Sequence, residues 1–129
     1  MKGKVTYNQS TFSIPMRISK EFTFDSAHFL KEYKGKCERL HGHTYRLRVT
    51  VEGPIQKNGL VMDFHKIKDV VEAQVLEHLD HHNLNEVIDQ PSAENICVWI
   101  WGRLQKKIPQ LAEIRVWETA TSFATYNGQ

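Results

Sequence analysis

Cysteine is scarce in this sequence: Cys37 and Cys97 are the only two among 129 residues. Two thiols cannot staple a small secreted scaffold, so both are expected to be free in a reducing, cytoplasmic setting. Long apolar runs are missing. Nothing approaches the roughly 20 residues that span a bilayer, and residues 1–15 hold no sustained apolar core of the kind an export signal carries. No membrane association is expected. An excess of one charge is missing too, since 17 Lys and Arg are interspersed with 15 Asp and Glu for a net charge of +2. That speaks against the concentrated basic face of a nucleic-acid binder, but leaves enough local cations for a phosphorylated small molecule. Internal repeats and low-complexity tracts are also lacking. A hydrophobic content of 40% and a charged content of 25% then describe an ordinary globular chain, long enough for one core and not two. We expect a polar extension over residues 1–15 and a single domain over 16–129.

The periodicities are clear. Ile18, Phe22 and Phe24 alternate with Ser19, Glu21 and Thr23, the pattern of a half-buried strand over residues 17–25. Tyr45, Leu47, Val49 and Val51 alternate with Thr44, Arg46, Arg48 and Thr50 in a second strand over 43–52, stopped by Gly53-Pro54. Residues 28–42 read as a long loop. Asp63 is suited to cap a helix running to about Leu79, with Ile67, Val70, Val71, Val75 and Leu79 on one face. Residues 80–91 read as a second loop. Ser92 is suited to cap a further helix to about Lys107, carrying Ile96, Trp99, Ile100 and Leu104 inward and ended by Pro109. Two short strands close the chain, one with Ile114, Val116 and Glu118 in phase and one over Phe123 to Tyr126. Strand pairs flanking two helices predict an α+β domain with an antiparallel four-stranded sheet and both helices on one face.

Seven histidines are present and they are clustered. In Cys37-Glu38-Arg39-Leu40-His41-Gly42-His43, two imidazoles one residue apart share a side of the chain, and Gly42 leaves room between them. His28 closes the preceding strand, and antiparallel pairing of that strand with the next can set it beside the other two. Three imidazoles suit Zn2+, and a catalytic zinc keeps a fourth position open. The alternative is three loop histidines without a metal. Cys37 fits three readings: a fourth ligand that closes a structural site, a reactive thiol beside the metal, or an inert side chain. His78, Asp80, His81 and His82 cluster where the first helix ends. There imidazole can simply cap the helix, or Asp80 can orient His81 for proton transfer. Glu118 on an apolar phase needs a partner. That partner is either an internal cation or a planar N–H edge of a ligand. Cys97 reads as packed core, His65 as solvated, and one of Trp99 and Trp101 as core with the other available for a subunit contact.

Five stretches together resemble the 6-pyruvoyl-tetrahydropterin synthase family, and most closely its bacterial 6-carboxy-tetrahydropterin synthase branch. They are Phe24-Asp25-Ser26-Ala27-His28, Lys36-Cys37 through His41-Gly42-His43, Leu79-Asp80-His81-His82-Asn83-Leu84, Pro91-Ser92-Ala93-Glu94-Asn95 with Trp99-Ile100-Trp101, and Trp117-Glu118-Thr119. The resemblance implies the tunnelling fold, in which the sheets of a trimer join into a barrel and two trimers stack as a homohexamer with active sites between subunits. It implies zinc on His28, His41 and His43, Cys37 as the proton-abstracting thiol tuned by His81 and Asp80, and Glu118 as both a grip on the pterin edge and a member of the proton relay. The substrate implied is 7,8-dihydroneopterin triphosphate, converted to 6-carboxy-tetrahydropterin, acetaldehyde and triphosphate on the way to queuosine and other 7-deazaguanines. The cysteine stands three residues before His-Gly-His, as in that branch. Glu38 directly after Cys37 resembles a dual-activity group that also yields 6-hydroxymethyl-dihydropterin for folate, which makes Glu38 a candidate substrate-binding residue; it also reads as a solvated loop charge. A 6-pyruvoyl product is a further alternative within the family. The non-enzymatic alternative is a zinc-stapled binding module, which a domain with a good apolar core does not need. Lys36, Arg39, Arg46 and Arg48 are unranked candidates for the triphosphate.

Overall fold

In the computed structural model, residues 3–7, 13–35 and 38–129 are described. The first alternating segment forms β1 (Met16–His28) and the second forms β2 (His41–Gly53). They pair antiparallel along their whole length, from Met16 opposite Gly53 to His28 opposite His41. The register follows from burial. Phe24 lies opposite Tyr45 and stacks on it at 5.0 Å, and Phe22 lies opposite Leu47, so both apolar sets face one side. β4 (Leu111–Trp117) pairs antiparallel with β2, and β5 (Phe123–Tyr126) pairs antiparallel with β4.

Helix α1 (Phe64–Val71) begins at Asp63, whose carboxylate accepts the His65 N–H at 2.8 Å. It continues through a π-helical stretch, Glu72–Leu76, to a last α-turn at Glu77–Leu79. Arg103 donates Nε to the Gln74 carbonyl within that widened stretch at 3.0 Å, tying the two helices together. Helix α2 (Ala93–Leu104) is capped by Ser92, whose hydroxyl accepts the Asn95 N–H at 3.1 Å. The apolar faces of both helices lie on the Phe24, Tyr45, Leu47 and Val49 side of the sheet. Ile67, Val71, Val75 and Leu79 of the first helical run and Ile96, Ile100 and Leu104 of α2 are fully buried there. Each such side chain contributes about 1.5–3 kcal/mol of transfer free energy.

Three local features differ from expectation. The segment after α1 is not all loop: β3 (His82–Asn83) adds a short parallel strand beside Ser26 and Ala27, giving the order β3-β1-β2-β4-β5. Its two residues are too short to leave a periodicity. α2 ends at Leu104 rather than Lys107, because the chain tightens into a turn in which the Lys107 and Ile108 amides both bond back to the Leu104 carbonyl. Trp99 and Trp101 are both half-buried, so neither takes a full core position. Trp101 packs edge-on against Tyr126, and Trp99 lies against His78. Cys97 is in the core, as expected. Among the described residues no helix is long and apolar enough to cross a membrane.

Candidate metal centre and active site

The β1–β2 register delivers the histidines. His28 ends β1 directly opposite His41 at the start of β2, and His43 is opposite Ser26, so all three rings share the helix-side face. Ring centroids lie 4.7, 4.9 and 5.1 Å apart. One ring nitrogen from each falls within 4.8 Å of the others.

Two of the rings have an assignable tautomer. His28 Nδ1 is 2.7 Å from the Pro91 carbonyl, and His41 Nδ1 is 2.8 Å from the Arg39 carbonyl. A carbonyl only accepts, so each Nδ1 carries a proton, and Nε2 is the nitrogen left to hold a metal. Such carbonyl partners orient metal-binding imidazoles. Nε2 of His28 and of His43 are buried and make no hydrogen bond among the described residues. Burial lowers the pKa of His43, and the neighbouring His28 and His41 lower it further against the opposing pull of Glu118. Three imidazoles that each bring one ring nitrogen to a common point are a donor set that fits a zinc ion.

Glu118 follows the last residue of β4, and its Oε1 is 3.7 Å from His43 Nε2. Among the described residues its ion-pair partner is one of the triad, not an internal Arg or Lys. The Tyr45 ring lies against both His28 and His43, and its hydroxyl is buried without a partner among the described residues. Burial, with Glu118 and Glu38 as further causes, raises the Tyr45 pKa, so the hydroxyl stays protonated. Sequence reasoning assigned Tyr45 to the core alone; its place two residues after His43, on the same strand face, was the available signal.

Asp80 and His81 form the second cluster. His81 Nδ1 is 3.0 Å from Asp80 Oδ1, and the same oxygen accepts the Asp25 N–H at 2.9 Å. That backbone bond is the main cause of a lowered Asp80 pKa, with His81 adding to it against the opposing effect of burial. The His81 N–H bonds to the Asp25 carbonyl at 2.6 Å, holding His81 at a left-handed φ of 58°. Asp25 thus grips both members through its main chain, and Thr44 opposite it donates to its carboxylate at 2.5 Å. Sequence reasoning did not single out Asp25. An open depression of about 570 Å³ is lined by Asp25, His43, Thr44, His81 and His82, among others. It joins the two clusters on one surface. His78 stands apart, accepting from Arg103 at 3.0 Å.

Glu38 is half-buried. Its Oε1 accepts the Leu30 N–H at 3.1 Å, and its own N–H bonds to the Leu30 carbonyl at 3.0 Å. Cys37 and Lys36 lie outside the described residues. Of the triphosphate candidates, Arg46 stacks on Trp117 at 3.8 Å and Arg48 pairs with Glu21 at 2.7 Å, both on the sheet face away from the helices.

The chain is 47% identical over 105 residues to the dihydroneopterin monophosphate aldolase of Pyrococcus furiosus, a match covering 79% of this chain and 89% of that protein. It is 42% identical over 117 residues to the 6-carboxy-5,6,7,8-tetrahydropterin synthase of Synechocystis, covering 84% and 91%. In structure it resembles the 6-pyruvoyl tetrahydropterin synthase of Caenorhabditis elegans, with a TM-score of 0.79 over 90% of this chain and 97% of that one at 22% identity. The 6-pyruvoyl tetrahydropterin synthase family profile matches residues 17–129, and the chain belongs to that family.

Proposed function

We propose that this protein is a zinc-dependent lyase that converts 7,8-dihydroneopterin triphosphate and water into 6-carboxy-5,6,7,8-tetrahydropterin, acetaldehyde and triphosphate, supplying 7-deazaguanine synthesis such as that of queuosine. One observation carries the reading. Three histidines each bring a ring nitrogen within 4.8 Å of the others, and a carboxylate stands 3.7 Å from one of them. The chain is also 42% identical to a protein named for that product.

His28, His41 and His43 would hold the ion, which would acidify the substrate side-chain hydroxyls and stabilise developing negative charge. Glu118 accepts the paired N–H groups on the pterin edge, where a carboxylate can take two parallel hydrogen bonds. Its half-exposed position at the end of β4 leaves one face open to a ligand. Cys37 takes and returns protons between side chain and ring, and Asp80 keeps His81 oriented to exchange protons with it. The outer edge of β1 before Ser26 and the outer edge of β5 carry no neighbouring strand among the described residues. Unpaired edges of this kind favour closure of the sheet by other copies, and the reading includes a cytoplasmic homohexamer of two stacked trimers with sites between subunits. Residues 16–129 form its single domain and 1–15 an extension.

Incubating the purified protein with dihydroneopterin triphosphate and weighing the pterin product tests the reading. A mass matching 6-carboxy-tetrahydropterin supports it, and unchanged substrate removes it in favour of a binding module. Sedimentation gives the oligomer directly.

A second reading is aldol-type cleavage of the side chain to 6-hydroxymethyl-dihydropterin. The half-buried Glu38 carboxylate next in sequence to Cys37 favours it, as does 47% identity to a protein named as an aldolase. The same mass measurement separates the two products.

A further inference from the structure

The backbone of Phe29, Leu30 and Lys31 leaves β1 in no sheet, yet each of its six polar groups has a partner. The Asn85 side chain accepts the Phe29 N–H at 2.9 Å and donates to the Phe29 carbonyl at 3.0 Å. The Gln90 side chain does the same for Lys31, accepting its N–H at 2.8 Å and donating to its carbonyl at 2.9 Å. Between them, Leu30 is held by Glu38 through both its N–H and its carbonyl. Two amide side chains imitate a neighbouring strand at alternate residues, and a carboxylate residue closes the residue between.

The amides are themselves braced. Asn85 donates its own N–H to the Asn83 side chain at 3.0 Å, and the Gln90 carbonyl accepts from the Asn95 side chain at 2.9 Å. Pro91, next to Gln90, accepts from His28. The segment 83–91 therefore holds a triad imidazole and the chain leaving it against one frame.

We propose that Asn85 and Gln90 are positioning residues: with Glu38 they clamp residues 29–31 and thereby fix where Glu38 presents its carboxylate to the substrate. This rests on the reading above that Glu38 belongs to the substrate site. The physical reason is the accounting of main-chain groups. A segment outside a sheet has no intrinsic geometry, and water would otherwise satisfy it in many conformations. Planar side-chain amides, each giving one donor and one acceptor, select a single extended conformation. Glu38 then inherits its position from Leu30.

The test compares Asn85→Ala, Gln90→Ala and Asn85→Asp with the unaltered protein, reading amide hydrogen exchange, metal content and steady-state kinetics. Faster exchange is expected at the Leu30 amide in both alanine variants, although neither altered side chain touches it. With metal content unchanged, kcat is expected to fall about 10- to 100-fold, the loss that a displacement near 1 Å brings, and KM to move much less. Asn85→Asp keeps the acceptor and loses the donor, so it should restore protection at the Phe29 amide with only part of the rate. A Leu30 amide equally protected in both alanine variants overturns the proposal, as does an unchanged kcat in variants of an active enzyme. If Asn85→Ala fails to fold, Gln90→Ala carries the same readouts from a partly exposed position. If the unaltered protein consumes no dihydroneopterin triphosphate, the functional reading falls, and exchange at Leu30 alone then decides the clamp: faster exchange supports it and unaltered exchange overturns it.

Discussion

Asp80→Asn removes one charge and almost no volume, so it isolates what the carboxylate does. Its Oδ1 accepts the Asp25 N–H at 2.9 Å and lies 3.0 Å from His81 Nδ1. Hydrogen bonds to charged groups are worth about 1.5–3 kcal/mol when shielded. The Asp80 side chain is 38% exposed, and solvent screening brings the stability loss to about 1 kcal/mol or less. For a domain of this size that is a shift of about 3–5 °C in Tm. The sign of the pH dependence follows from the direction of the shift. The folded-state pKa of Asp80 lies below its ordinary value, mainly because of the Asp25 N–H. Its contribution is therefore fully present above the unfolded carboxyl pKa, near ~4, and is lost as pH falls through the lower folded value. Thermal melts of the two proteins should differ at pH 7 and converge as the pH falls below the ordinary carboxyl range. Turnover should suffer more than stability. An asparagine still accepts the Asp25 N–H but no longer stabilises a proton on His81, and positioned acid–base groups contribute about 10²–10⁴-fold. We expect kcat to fall about 100-fold with KM little changed. A variant with the parental kcat, or with a melting difference that persists unchanged to pH 2, would show that Asp80 merely ends the helix.

Replacing His41 with Ala should abolish zinc retention in a metal assay and turnover with it, whereas Cys37→Ala should keep the zinc and lose turnover; demetallation by the cysteine change would point to a closed structural site. The Cys97 thiol, pushed up to about 12 mainly by burial, should resist iodoacetamide at pH 8 in folded Cys37→Ala protein and react only on unfolding; rapid labelling of the folded protein would place it elsewhere. Leu47→Ala, at a fully buried position of β2, should cost about 2–5 kcal/mol in denaturant unfolding, and a loss below about 1 kcal/mol would contradict the core assignment.

The alternation of β1 and β2, the cap residues Asp63 and Ser92 and the helical stripes were all legible, because each follows from a local period or a local bond. His28, His41 and His43 could be nominated from spacing, since strand geometry places residues 41 and 43 on one side. What spacing could not supply were features made by main-chain groups distant in sequence. The carbonyl of Pro91, 63 residues away, takes the Nδ1 proton of His28. The backbone of Asp25 holds Asp80 and His81 from 55 residues away. Asn85 and Gln90 read as ordinary loop amides, and only the fold reveals that they satisfy Phe29 and Lys31. Glu118 was correctly placed at an inward phase, but its partner is a histidine of the triad, because β4 ends beside the part of β2 that carries His43.

The candidate metal centre and the core are one construction. Phe24 opposite Tyr45, Ser26 opposite His43 and His28 opposite His41 are successive same-face pairs of a single ladder. The first pair is a buried aromatic stack, and the last holds two rings of the candidate metal site. A slip of one residue between β1 and β2 would turn His28 to the opposite face from its partners and expose Phe24 at the same time. The burial of Phe24, at 1% exposure, thus enforces the geometry of the triad. The three histidines need no separate rigid loop, because freeing His28 from His41 requires unzipping strands whose inward side chains the helices cover. Ser26 extends the same coupling to the second cluster by donating its hydroxyl to the Leu79 carbonyl, immediately before Asp80. Four consecutive residues of β1, Asp25 to His28, therefore set the relative positions of both clusters. Their spacing is determined by strand rise and register, quantities that the apolar residues of the core define.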